Sequence, residues 1–140
     1  MPSWQETQRR LCNVTYAAVK LTLDLAIGSK ERTKGLMGEI CERSVAEIAV
    51  EVGSERQDGI ASYDALRREV PRRYPLSSID LRASLTRVHE RVWEQKIRNI
   101  KSHSSSPGNY IFEGYLEHIP RVGFRVTDKG RALIRRQAAA

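Results

Sequence analysis

Apolar residues recur every three or four positions along several stretches of the chain, the spacing of one side of an α-helix. The first stretch covers residues 4–27 and forms a heptad seam made of Leu11, Val14, Ala18, Leu21 and Leu25. Gly28 and Ser29 follow it and end the helix. A seam of about two heptads usually packs against a neighbouring helix of the same chain, and a homodimer formed through residues 4–27 is the alternative.

A second helical pattern follows a charged linker at residues 30–34 and is closed by Gly53. Its apolar side consists of Met37, Ile40, Cys41, Ile48 and Val52. A polar stretch at residues 54–59 then separates two halves of unlike composition. We therefore expect an N-terminal helical segment at residues 1–56, which serves packing or dimerisation, and a second domain at residues 57–140.

The second half begins with a short extended piece that runs into Ser62, a good N-cap for a helix to about Val70. Pro71 and Pro75 bracket the expected end of that helix. From Ser77 the chain is again predicted to be helical, as two helices or as one bent helix that ends near Ser102. Two apolar stripes carry this prediction: Leu81, Leu85, Val88 and Val92, and then, after a one-residue offset, Trp93, Ile97 and Ile100.

A loop is expected at residues 102–109. Beyond it, apolar and polar residues alternate and aromatic residues recur over residues 110–119, which predicts a strand. A tight turn leads into a returning strand at residues 123–126, and Thr127 caps a final helix from Asp128 to about Gln137. A capped helix, a second helix, a hairpin and a closing helix in this order are the layout of a winged helix. The expected fold is mainly α within the α+β class, with N-terminal helices followed by a winged helix-turn-helix that has a small β-hairpin wing.

Charge adds a candidate partner to this picture. The 140 residues have room for one compact domain and a helical appendage, and their net charge is +7. Residues 1–56 carry eight basic and eight acidic side chains, whereas from residue 57 onward 16 Lys and Arg accompany 9 Asp and Glu. Most of those cations are arginine, whose guanidinium group fits phosphates and guanine edges. Many arginine-rich bacterial proteins are basic for compositional reasons alone, so charge leaves this open. Together with the helix pair and the hairpin, it leads us to expect double-stranded DNA as the partner.

The second helix of the predicted pair carries the candidate interface. If Trp93, Ile97 and Ile100 face the core, the opposite side presents Arg91, Glu94, Gln95, Arg98, Asn99 and Ser102. Side chains of these types read base edges: Arg suits guanine, Gln and Asn suit adenine, and Glu accepts from cytosine. A mixed polar side is also what any surface helix presents. Phosphate contacts are expected from Lys96, Lys101, Arg121 and Arg125, while His103 either contacts DNA or caps the last helix carbonyls.

Three stretches of this half, at residues 93–103, 114–118 and 123–131, resemble the winged-helix modules of bacterial modification-dependent restriction endonucleases of the Mrr type. In those modules a Trp-bearing helix precedes a hairpin whose second strand runs into a Thr-Asp/Glu-Lys-Gly-Arg turn. The resemblance covers roughly residues 60–136 and implies a DNA-targeting domain, in some systems one that senses modified cytosine. Such domains are normally fused to a nuclease domain. We expect no room for a typical nuclease domain after the winged helix, so this sequence would be an excised targeting domain or a stand-alone protein. The same turn also resembles winged-helix transcription regulators, so a regulator remains an alternative.

Enzymatic activity is not expected. Asp80, Glu94 and Lys96 spell an Asp…Glu-x-Lys pattern of the kind that holds magnesium in restriction enzymes. That site needs the Glu and Lys on one strand, whereas helical spacing turns them apart by roughly 200°. The cysteines Cys12 and Cys41 and the three scattered histidines lack metal-ligand spacing, so we expect neither a metal nor a cofactor.

The apolar stretches of the sequence show no sign of a membrane span or a signal peptide. The most apolar one, at residues 11–27, contains Lys20 and Asp24 and no cleavage site, which argues against a membrane span and a signal peptide. We therefore expect a cytoplasmic protein with no membrane partner. A protein-interaction adaptor that works through the N-terminal helices is the alternative from a different class.

Overall fold

The computed structural model describes residues 39–139. The predicted helix at residues 4–27, the homodimer expected to form through it, and Met37 lie outside the described residues. The described part contains four helices and a three-stranded antiparallel sheet, which confirms the α+β class. Among these helices none is long and apolar enough to cross a membrane.

The elements follow one another in the order α1 (Glu42–Ser54), β1 (Ile60–Ser62), α2 (Tyr63–Arg73), α3 (Val92–Ser102), β2 (Leu116–Ile119), β3 (Gly123–Val126) and α4 (Asp128–Ala139). The strand order in the sheet is β1-β3-β2, so β3 lies in the middle and runs antiparallel to both neighbours. Phe124 of β3 pairs with Ala61 on one side and His118 on the other, and its side chain is fully buried. These three residues therefore lie on the inner face of the sheet.

Helix α1 is the centre of the core. It packs against α2, α3, α4, β1 and β3, and Val45 and Ile48 are completely buried. Gly53 lets the helix approach β3, because a Cβ at that position would collide with the side chain of Val126. Although α1 precedes the domain boundary expected after residue 56, it therefore shares one core with the elements that follow.

Helix α2 begins as predicted and ends later than predicted. The Ser62 side chain caps it by accepting a hydrogen bond from the backbone N–H of Ala65 at 3.1 Å. The helix continues through Pro71 to Arg73, beyond the expected end near Val70. Three carboxylates bind the Arg73 guanidinium and stabilise this last turn: Glu69 on α2, Glu51 on α1, and Glu55 just after α1. The hydrogen bond to Glu55 is the main reason that the pKa of Arg73 is raised.

The predicted helix between Ser77 and residue 91 is wrong. Residues 77–91 form turns, bends and an isolated bridge, and the helix begins only at Val92, as α3. The side chain of Asp80, which is completely buried, accepts hydrogen bonds from the backbone N–H groups of Ser77 at 2.8 Å and Ile40 at 3.0 Å. These bonds hold the chain in turns, since a short polar side chain that binds nearby backbone competes with the helix ladder. Leu81 and Leu85, which the helical stripe placed in the core, are exposed.

Residues 82–92 fold back on themselves, and we call this segment the pre-α3 hairpin. Its two arms are joined by a hydrogen bond from Ser84 N to the Glu90 carbonyl at 2.7 Å and one from Val92 N to the Arg82 carbonyl at 2.9 Å. An antiparallel bridge also pairs Ala83 with Arg91. Residues 85–89 form the exposed tip of the hairpin.

The strand predicted at residues 110–119 is confirmed only in its last part, Leu116–Ile119. The preceding residues form turns because the Asn109 side-chain oxygen accepts the backbone N–H of Ile111 at 2.8 Å, and Gly114 has a positive φ of 81°. The returning strand β3 and the capped final helix are confirmed. Thr127 caps α4 by accepting the backbone N–H of Gly130 at 3.1 Å.

Candidate nucleic-acid interface

The buried side of α3 fixes which of its residues face outward. Trp93, Ile97 and Ile100 are buried in the core, as the helical spacing predicts. The outer side therefore lies opposite them and carries the six residues proposed to read bases. Of the eleven predicted contact residues, nine lie between residues 91 and 103, and two lie on the β2–β3 hairpin.

The middle of the outer side contacts the pre-α3 hairpin. Arg98 forms a two-pronged ion pair with Glu90, in which its Nε donates to one carboxylate oxygen at 2.8 Å and its Nη2 donates to the other. Gln95 accepts a hydrogen bond from the Ser84 hydroxyl at 3.0 Å. Two of the predicted base readers are therefore held by the segment that precedes the helix.

Polar groups near the start of α3 are also engaged within the chain. Glu94 accepts the backbone N–H of Arg91 at 2.8 Å and lies 3.7 Å from Nε of Arg67 on α2. The Arg91 guanidinium donates to the carbonyl of Leu81 at 2.9 Å. Lys96 lies on the flank of the helix, with its ammonium 2.9 Å from a Glu39 carboxylate oxygen.

The last turn of α3 is the most open part of its outer side. Lys101 and Ser102 are exposed, Asn99 is half-buried, and Lys101 forms no ion pair with a carboxylate in the described part of the chain. The His103 ring does not cap carbonyls of α3. Its Nδ1 lies 2.6 Å from a carboxylate oxygen of Glu42 on α1, and its backbone N–H donates to the Asn99 carbonyl at 2.9 Å.

The β2–β3 hairpin is attached to the start of α2. The backbone N–H of Tyr63 donates to the Val122 carbonyl in the turn at 2.9 Å, and the Tyr63 hydroxyl lies 3.0 Å from Nε2 of His118 on β2. Burial, followed by the positive charge of Lys101, lowers the pKa of His118. The Tyr63 contacts therefore join the start of α2 both to the turn and to β2 of this hairpin.

The two arginines of this hairpin occupy different surfaces. Arg121 is exposed in the turn with a left-handed backbone, at φ 65°. Arg125 is exposed on the outer face of the sheet, where it lies between Ile60 and Glu117 in the register. Because Phe124 next to it faces the core, Arg125 points away from α1. The geometry therefore does not bring Arg125 onto the outer side of α3.

The residues of the Asp…Glu-x-Lys pattern are not assembled as a metal site. Glu94 and Lys96 both lie on α3, where each has a partner of its own, and the Asp80 carboxylate is occupied by backbone and hydroxyl donors. Within residues 39–139, no group of three or more His, Cys, Asp or Glu side chains could hold a metal ion.

An open cleft of about 490 Å³ lies between α2, the pre-α3 hairpin and the start of α3. It is lined by Arg67, Arg87, Val88, His89, Glu90 and Glu94. Two carboxylates and two arginines line this cleft together with Val88 and His89, and Glu94 lies 3.7 Å from Arg67, so the lining mixes apolar surface with nearly balanced charges. The pre-α3 hairpin forms one wall of the cleft, and apart from Arg91 its residues are not among the predicted contacts. Its sequence signal is a run without acidic residues at residues 81–89 that contains Arg82 and Arg87.

Comparison of the chain with models of protein families gives no match, and comparisons with curated proteins and with solved structures give none either.

Proposed function

We propose that residues 39–139 form a winged-helix domain that binds duplex DNA, with α3 in the major groove and the β2–β3 hairpin as the wing. The element order supports this, since α2 and α3 form the helix pair and a hairpin follows directly. The observation that carries the proposal is α3 itself. Its apolar side is buried in the core, and its opposite side is polar, carries Arg91 and Arg98, and ends in a last turn where Lys101 and Ser102 are exposed.

The open end of this surface makes the first contacts with DNA. Asn99 and Ser102 lie in the last two turns of α3, beyond the contacts of the outer side with the pre-α3 hairpin, and their side chains would reach bases first. Lys101 and Arg121 supply phosphate contacts, because both are exposed cations at the two elements that would approach the backbone. Binding through these cations releases counterions, so the affinity falls as salt rises.

Arg98 contributes after an exchange of partners. Its two-pronged bond to Glu90 has the same geometry as a bond to a phosphate or to the O6 and N7 edge of guanine. Glu90 therefore holds the guanidinium in place before DNA arrives, and DNA replaces the carboxylate. The exchange also reduces the affinity for DNA that offers no matching acceptor, because the ion pair must then be broken without a replacement.

A role in targeting a restriction system is the more specific form of this proposal. It rests on the resemblance of residues 93–103, 114–118 and 123–131 to the Mrr-type modules, and modified cytosine is the feature such a domain would sense. A transcription regulator would use the same surface on unmodified DNA. The two are distinguished by comparing duplexes with and without 5-methylcytosine.

The test is fluorescence anisotropy of the full chain with labelled duplexes, unmodified and cytosine-modified, over a range of salt concentrations. Arg98→Ala should weaken binding to a preferred duplex more than to a random one. Arg121→Ala should weaken both and lower the salt slope by about one. Arg136→Ala, an exposed arginine on α4, is the matched control and should change little.

Equal effects of Arg98→Ala and Arg121→Ala on every duplex would contradict the division between base and phosphate contacts. If the protein binds no duplex even at low salt, the proposed function is wrong. The adaptor function of the N-terminal helices would then be tested with protein partners.

A further inference from the structure

The tip of the pre-α3 hairpin exposes apolar side chains in a segment that is firmly held. Leu85 is fully exposed and Val88 is 80% exposed, while Leu81 at the base of the hairpin is 43% exposed. A single exposed apolar residue needs no explanation, but Leu85 and Val88 are exposed together on one short tip, and such neighbouring apolar side chains can serve as an interaction surface. The tip therefore presents an apolar surface to a partner.

The hairpin is anchored directly to α3. Ser84 donates to Gln95, Glu90 binds Arg98, and the Arg82 carbonyl accepts the N–H of Val92, the first residue of the helix. A tip held in this way has a defined position relative to the outer side of α3. Whatever lies against that side of the helix also lies beside the tip.

Charge identifies the partner. Residues 81–89 contain no Asp or Glu, and Arg82 and Arg87 are exposed. Neither arginine forms an ion pair with a carboxylate among residues 39–139. Two unpaired arginines beside Leu85 and Val88 fit a polyanion that also offers apolar surface. Duplex DNA is such a partner, because its stacked bases lie between two rows of phosphates, and proteins insert apolar wedges between base steps while cations hold the flanking backbone.

We propose that the tip of the pre-α3 hairpin is a DNA wedge: Leu85 and Val88 pack against a base step beside the site of α3, and Arg82 and Arg87 hold the phosphates on either side. The wedge partly unstacks the step and bends the duplex. This inference rests on the proposed function and adds a second contact surface to it, outside the helix and the β2–β3 hairpin.

The test uses Leu85→Ser in the full chain, with a mixed-sequence duplex that carries a donor and an acceptor dye at its two ends. Because Leu85 is fully exposed, the substitution should leave the urea unfolding midpoint unchanged. We expect wild-type protein to raise energy transfer by bending the duplex. The variant should lose this rise and bind about tenfold more weakly in anisotropy. Val88→Ser should act in the same direction, whereas Phe112→Ser, which removes an exposed apolar side chain outside the hairpin, should match wild type.

Several outcomes would overturn the wedge. If wild-type protein binds the duplex and both hairpin variants bind and bend it equally well, the wedge is wrong and the proposed function stands. If wild-type protein binds no duplex at low salt, the proposed function fails and the wedge fails with it. If the variants bind DNA normally but lose binding to phosphatidylserine vesicles, or change from dimer to monomer in light scattering, the tip serves a membrane or a second copy of this chain instead.

Discussion

Replacing Asp80 with Asn tests how the segment before α3 is held in place. One carboxylate oxygen accepts the backbone N–H of Ile40 at 3.0 Å, just before α1. The other accepts the N–H of Ser77 at 2.8 Å and the Ser77 hydroxyl at 3.0 Å. The Asp80 carbonyl also accepts the N–H of Trp93 in the first turn of α3, at 3.2 Å. A single fully buried residue thus ties the starts of α1 and α3 to one turn.

The expected cost of Asp80→Asn follows from this geometry. An amide has the same shape but only one acceptor oxygen, so its NH₂ group must face one of the donors, and the least costly arrangement turns it toward Ile40. The variant then loses one hydrogen bond to a charged acceptor and leaves a buried donor unsatisfied, which together cost about 3 kcal/mol in the free energy of unfolding.

Urea denaturation followed by circular dichroism measures this cost. The midpoint should fall while the slope of the transition stays the same, because the surface exposed on unfolding does not change. Asp64→Asn is the control: Asp64 is exposed in the first turn of α2 and, among residues 39–139, pairs only with Arg67, so its loss should cost no more than about 1 kcal/mol. A loss below about 1 kcal/mol for Asp80→Asn would refute the reasoning that these bonds direct the chain before α3.

Three further predictions concern other parts of the described structure. Ser62→Ala removes the cap of α2 and should cost about 1 kcal/mol in thermal unfolding, and an unchanged melting temperature would contradict the capping role. Burial and the charge of Lys101 lower the pKa of His118 from 6.5, so the folded state favours the neutral ring. Its contribution to stability is therefore present above about pH 6.5 and is lost as the pH falls through the lowered pKa. Urea midpoints measured at several pH values should show a smaller acid loss for His118→Gln, and identical pH profiles would count against this. Glu90→Gln frees Arg98 and removes a negative charge beside α3, so anisotropy should show binding to random duplex strengthened by a few-fold. Weaker binding would mean that Glu90 acts mainly by holding the arginine in position.

The parts of the fold that could be predicted from sequence are those set by local chemistry. Ser62 and Thr127 cap helices because each lies one residue before a helical pattern and offers a side-chain oxygen. The core side of α3 follows from the spacing of Trp93, Ile97 and Ile100, which no competing interaction disturbs. In these segments local preference and tertiary packing favour the same structure.

The errors arose where a distant residue decided the structure. The stripe from Leu81 to Val88 has helical spacing, but Asp80 binds the backbone of Ile40, forty positions earlier, and the chain turns away from the core. Helix α2 passes Pro71, and Arg73 in its last turn pairs with Glu51 on α1 and with Glu55 just after α1. Single-sequence periodicity contains neither interaction.

The candidate interface divides in the same way. Which residues face outward on α3 followed from its period, whereas the partners of those residues did not. Glu90 and Ser84 reach Arg98 and Gln95 only because the pre-α3 hairpin folds back onto the helix. A sequence pattern predicts the side of the helix on which a side chain lies more readily than it predicts which group that side chain binds.

The most direct test of DNA binding through α3 is an NMR titration of the isotope-labelled full chain with a mixed-sequence duplex, at low and at near-physiological salt. We predict the largest amide shift changes at Asn99, Lys101 and Ser102 and at Val122 in the β2–β3 turn, and we predict that salt reverses them. Changes confined to α4, or no changes at low salt, would contradict the proposal that α3 and the wing form the DNA-binding surface.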